Sequence, residues 1–240
     1  MDDATRPEAI RPADQVLGPP HLADPRALQV LSTEHWSLLT SRSLVYNEFF
    51  SRANMFLTLL SASLVALGFV YQGAGGGPDF PLIVVAVLAL DLFVGLATLG
   101  RLIGASSEEM HALQAMSRIR HAYLEMVPTL GPYVSTSSFD DIASVLSVYG
   151  TAPVHRGPLA HLTHGLTTMP GMISVLDAAL AGALVAAATV AATADTRLAL
   201  VLGVVTGIAT LVALMAFGAR TFARESRFLE TRFPDPRRVA

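Results

Sequence analysis

Two carboxylates stand in stretches that are otherwise apolar. Asp91 lies near the midpoint of PLIVVAVLALDLFVGLATLGR, residues 81–101, and Asp177 lies in MISVLDAALAGALVAAATVAATA, residues 172–194. A charged carboxylate at bilayer depth costs about 2.5–3.5 kcal/mol on insertion scales, so it must find a partner, take a proton or line water. Two chemistries follow for Asp91: it belongs to a path for an ion or a proton, or it is a protonated group that joins helices by a hydrogen bond. No Arg, Lys or His lies at similar depth to neutralise it.

Asn54, Thr58 and Ser61 fall at i, i+4 and i+7 in the apolar stretch before it, and Asp91, Gly95 and Thr98 repeat that spacing. Each set occupies one helix face. The spacing predicts that the two faces meet, so that a Ser or Thr hydroxyl donates to Asp91 and lowers its desolvation cost. Asp177 stands about a turn and a half inside its own stretch, roughly 7–8 Å by helix rise, within reach of interfacial water or of Arg220. The candidate ion or proton path is therefore Asp91, Asp177, Asn54, Thr58, Ser61 and Thr98.

Other chemistries find no residues to carry them. An intramembrane aspartyl protease needs Tyr-Asp and Gly-x-Gly-Asp, whereas the contexts here are Leu90-Asp91 and Leu176-Asp177. His155, His161 and His164 cluster, but no neighbouring Cys or Glu completes a zinc-binding set. The chain has no cysteine, which removes disulfides, thiolate metal sites and Cys nucleophiles. Phosphate loops, dinucleotide fingerprints, nucleophile elbows and His-Glu-x-x-His are absent. The expectation is no enzyme, no cofactor and no metal.

The elements that must position these residues are membrane helices. Of 240 residues, 52% are hydrophobic and only 15% charged, where soluble domains run nearer 25% charged. A net charge of −3 gives no basis for a nucleic-acid partner. About twenty apolar residues cross a bilayer core of about 30 Å, and four stretches qualify: about 53–71, 81–100, 172–193 and 198–219. GAGGGPDF, residues 73–80, makes a turn between the first two, and Asp195-Thr196-Arg197 makes one between the last two. Ala199, Gly203 and Gly207 carry the small-xxx-small spacing that lets helix backbones approach closely.

Around these spans the sequence predicts helices outside the bilayer. Residues 1–24 are polar and Pro-rich with no apolar core of a signal peptide, and read as a disordered tail. Asp24-Pro25 opens a helix with Leu28, Leu31, Leu38, Val45 and Phe49 on one side. Ser106 and Glu109 form a capping box that starts an amphipathic helix running to about Val127. Ser138 caps a short helix over 139–149, closed by Gly150, inside a linker over 128–171. An Arg-rich tail, 220–240, either lies on anionic headgroups or packs on these helices. All 16 basic residues are Arg, and only Arg197 falls on the side opposite the termini. By the positive-inside rule, both termini are cytoplasmic.

The pattern Leu-x-x-Glu-His-Trp at residues 31–36, running through Arg42, Asn47 and Glu48 into a hairpin, resembles uncharacterised bacterial four-span integral membrane proteins. The order cytoplasmic helix, two-span hairpin, cytoplasmic helix is also similar to the two-span SLATT effector domains, a resemblance that implies pore formation. The reading is an all-α, integral membrane four-helix bundle of two hairpins with cytoplasmic amphipathic helices, in a bacterial inner membrane. Its expected role is a homo-oligomeric channel-like or pore-forming protein in the lipid bilayer. The alternative is a non-conducting scaffold or signalling adaptor that holds a cytoplasmic protein partner.

Overall fold

A computed structural model describes residues 22, 24–77, 79–148 and 165–239, and every regular element among them is helical. In chain order these are α1 (Pro25–Ala74), α2 (Phe80–Met126), a 3₁₀ helix (Pro128–Tyr133), α3 (Ile142–Val148), α4 (Met169–Thr193), α5 (Thr196–Ser226) and α6 (Pro236–Val239). Four of them, α1, α2, α4 and α5, are long and apolar enough to cross a membrane. The predicted tail over 1–24 falls mostly outside the described residues, as do Gly150 and the histidines at 155, 161 and 164.

The chain forms two compact units. One comprises Thr40–Ala112 and Pro153–Glu230, the other Met1–Leu39, Leu113–Ala152 and Thr231–Ala240. The first, the hairpin unit, is built from three helices that share a core. Phe49, Ala53 and Phe56 of α1 pack with Leu88, Leu99, Leu102 and Ala105 of α2 and with Ile173 and Leu180 of α4. These positions recur at helical spacing, so each helix turns one apolar stripe inward. The opposite faces keep large apolar side chains exposed, among them Leu64 and Phe69 of α1 and Phe93 of α2.

Both hairpin turns follow from backbone chemistry. Gly75 and Gly76 adopt φ of 62° and 67°, a region that side chains with a Cβ rarely enter. The α4–α5 turn sits one residue earlier than the sequence predicts. Ala194 closes α4 at φ 56° and Asp195 caps α5, accepting the N–H groups of Arg197 and Leu198 at 2.9 and 3.1 Å. Two residues thus satisfy both helix ends, and Thr196 joins α5.

Two predicted helix starts are corrected. Ser106 does not cap a new helix, because α2 passes through it without a break. Its hydroxyl donates to the Leu102 carbonyl four residues back, at 2.9 Å, which satisfies the polar group inside a helix. Glu109, the other half of the expected box, points to α1 instead, where Arg42 and Tyr46 hold it. No proline stands between Arg101 and Met126 to stop the helix. The short helix begins at Ile142, not at Phe139, and its cap is Asp141, whose carboxylate accepts the Ser144 N–H at 3.0 Å. Asp140 stays outside that helix: its carbonyl accepts the Gln114 side-chain amide at 3.0 Å, and the Ser144 N–H that would bond it goes to the Asp141 carboxylate.

The pairing of Asp140 organises the second unit. Asp140 is fully buried, and its N–H donates to the Phe233 carbonyl at 3.1 Å. Its carboxylate accepts the Phe233 N–H at 2.7 Å, the Arg232 N–H at 3.0 Å and the Arg118 Nε at 2.8 Å. Burial pushes the Asp140 carboxyl up, but Arg118 and the two backbone donors outweigh it and hold the group below the usual carboxylate range. Asp141 accepts the Asp235 N–H at 3.2 Å, and the His121 ring stacks on Phe233 at 4.2 Å between centroids. Residues 232–235 of the Arg-rich tail, beyond the end of α5, fold back onto α2 and the segment before α3.

Candidate functional site

Asp91 and Asp177 are both fully buried within the hairpin unit. On α2, Asp91 and Gly95 are one turn apart, on the same face. Asp177 reaches from α4 onto Gly95. A Cβ built on Gly95 would collide with the Asp177 Oδ1 atom and lie 3.0 Å from the Phe56 ring. The missing side chain at 95 is therefore the seat of the Asp177 carboxylate, and this places the second acid one helical turn along from the first. By helix rise from Phe80, Asp91 lies about 17 Å and Gly95 about 22 Å along α2.

The partners differ from those expected. Ser63, not the stripe of Asn54, Thr58 and Ser61, donates to Asp91, with Oγ to Oδ1 at 2.9 Å. Asn54, Thr58 and Ser61 are exposed, and the Ser61 hydroxyl turns back to the Leu57 carbonyl at 2.8 Å. The reason is rotational. Phe49, Ala53 and Phe56 fix which side of α1 faces inward, and Ser63 continues that side by one more heptad from Phe56. Thr98 is buried but spends its hydroxyl on the Val94 carbonyl at 2.8 Å, so it gives Asp91 nothing. Arg220 is exposed and is no partner of Asp177.

Three carboxylate oxygens are left without a hydrogen-bond partner among the described residues: Asp91 Oδ2 and both oxygens of Asp177. Unpaired buried acceptors of this kind are rare, because each forfeits its hydration for nothing. The sequence located both acids but not this juxtaposition. The signal was Gly95, which shares the Asp91 face and has no side chain to fill it.

Beyond the apolar stretch a run of ion pairs ties α1 to α2. Glu48 accepts from Arg52 at 2.8 Å and from Arg101 at 2.9 and 3.0 Å, and Arg101 also reaches Glu108 at 2.8 Å. Arg101, then Arg52, holds the Glu48 carboxyl at about 2. About two turns beyond Arg101 on α2, the buried Glu109 accepts from Arg42 at 3.0 Å and from the Tyr46 hydroxyl at 2.6 Å. Only the Glu48–Arg52 pair was visible as an i,i+4 spacing; the cross-helix pairs needed the helix register.

The glycines of α5 lie against α4. A Cβ on Gly203 would stand 2.8 Å from the Gly182 carbonyl oxygen, one on Gly182 would stand 2.7 Å from the Gly203 oxygen, and one on Gly207 would stand 3.2 Å from the Ala178 oxygen. Ala199 is buried on the same helix. Ala178, Gly182 and Ala186 supply the matching small residues on α4, a spacing the sequence also carries. Over this contact runs an open apolar groove of about 440 Å³, lined by residues such as Val175, Ala179, Val204 and Leu211.

Comparisons with protein families, with curated proteins and with solved structures give no match to this chain.

Proposed function

We propose that this is a multi-pass protein of a bacterial inner membrane whose four apolar helices cross the bilayer as two hairpins, and which works as a homo-oligomeric, channel-like conductor of a small cation. The observation that carries this reading is the pair Asp91 and Asp177, buried among apolar helices with three unpaired carboxylate oxygens. Acidic groups held at such depth without a cationic partner mark ion or proton pathways. Both termini lie in the cytoplasm, since an even number of spans brings the ends to one side and that side holds 15 of the 16 Arg (all but Arg197).

The homo-oligomer is supported by α1. Asn54 and Thr58 sit on its outer face in a stretch without charge, where lipid tails offer no hydrogen bond and a second copy does. The outward polar stripe and the inward acids then belong to different tasks, contact and conduction.

Ion flux through liposomes holding the purified protein tests the reading, wild type beside Asp91→Asn. Flux that is present and altered by the substitution is the expected result. No flux from either protein, across several ions and pH values, overturns it. The scaffold reading has its own support in the second unit, where Trp36, Leu130 and Tyr133 are exposed, the last at 82%. Crosslinking from these positions that captures a discrete partner, with flux absent, would favour it.

A further inference from the structure

We infer that Asp91 and Asp177 form a proton-binding pair, and that the small cation handled at this site is the proton. The inference rests on the reading of the hairpin unit as the working site, and it names what that site binds.

Charge is the first ground. No helix packed here carries a group able to neutralise two carboxylates within its apolar stretch. Between Arg52 and Tyr71, α1 has no titratable side chain; between Phe80 and Arg101, α2 has only Asp91; α4 has only Asp177; between Arg197 and Arg220, α5 has none. Two buried anions one turn apart repel each other and have no counter-charge, so at least one must bind a cation.

Space is the second ground. A sodium or potassium ion needs several oxygens and room for them. Here Ser63 is the hydroxyl that reaches Asp91, and Asp177 is pressed onto Gly95 beside the Phe56 ring. A proton needs no such room. It adds to a carboxylate oxygen from a hydronium ion, releases a water and turns an acceptor into an O–H donor.

The unpaired atoms are the third ground. Asp177 is fully buried with both oxygens unpaired, and Asp91 keeps one unpaired oxygen while Ser63 fills the other. A proton on either acid supplies the donor that the site lacks. By helix rise, Asp177, seated on Gly95, is the member about 6 Å nearer the Arg-rich end of α2, so a proton from that side meets it first.

Infrared spectroscopy of the purified protein in lipid vesicles tests this directly. The expected spectrum shows, at neutral pH, the carbonyl stretch of a protonated carboxylic acid. That band is lost or displaced in Asp177→Asn or Asp91→Asn. Wild type without the band overturns the proposal and requires no variant to fold. A band that both substitutions leave unchanged overturns it too, as does saturable sodium or potassium binding that depends on these aspartates without the band. Failure here is distinct from failure of the conduction reading. A protein with the band and no flux keeps the proton site and loses conduction, and one with Asp91-dependent flux and no band does the reverse.

Discussion

Glu48 on α1 and Arg101 on α2 face each other through two parallel hydrogen bonds, Nε to Oε1 at 2.9 Å and Nη2 to Oε2 at 3.0 Å. The bidentate geometry fixes the register of the two helices just beyond the apolar stretch. Its pH dependence follows from the direction of the shift. The Glu48 carboxyl is held at about 2 in the folded chain against an ordinary 4.5. The stabilising contribution is therefore fully present above 4.5 and is lost as pH falls through about 2. Thermal melts over that acid window are expected to fall more steeply for wild type than for Glu48→Gln. Parallel curves would show that the pair adds nothing to stability.

Gly95 should tolerate no side chain. Gly95→Ala drives a methyl group into Asp177 and the Phe56 ring, and overpacking of this kind costs about 1–3 kcal/mol. Gly100, nearby on α2, has nothing within 4 Å of an added Cβ, so Gly100→Ala is the control. A melting temperature lowered at position 95 and unchanged or raised at 100 is the expected pair of results.

The α4–α5 contact predicts a similar contrast. Gly203→Ala would place a Cβ 2.8 Å from the Gly182 carbonyl oxygen and 3.0 Å from Ala186, for a loss of about 1–3 kcal/mol. Cysteine crosslinking between α4 and α5, clean in a chain without native cysteine, should slow in that variant.

Asp140 tethers the end of the chain. Asp140→Ala removes the acceptor for Arg118 and for two backbone N–H groups. The expected loss is about 3 kcal/mol, the lower end for breaking a buried pair, since the Arg118 side chain is 28% exposed. Hydrogen exchange should show the Arg232 and Phe233 amides losing protection while the amides of α4 keep theirs. Unchanged protection at 232 and 233 would rule the tether out.

The four apolar helices and the two acids were legible because hydrophobic length and an isolated charge are local signals. Rotation about a helix axis was not. Asn54, Thr58 and Ser61 share a face with one another, yet only the packing of Phe49, Ala53 and Phe56 decides that this face looks outward and that Ser63 looks in. The capping box at Ser106 misled for a related reason. A serine hydroxyl serves equally as a cap or as a donor to the carbonyl one turn back, and only the surrounding helix distinguishes the two. Asp140 could not be read at all, because its backbone donors lie 92 and 93 residues downstream and Arg118 lies 22 upstream on another helix.

The closeness of Gly182 and Gly203 has a mechanical consequence. Two long antiparallel helices, joined by a two-residue turn and touching backbone to backbone, cannot slide without driving a carbonyl oxygen into the facing chain. The α4–α5 hairpin therefore moves as one body. Any rearrangement of the hairpin unit must open along a different seam, and the one with unmet polar atoms is where Asp177 rests on Gly95.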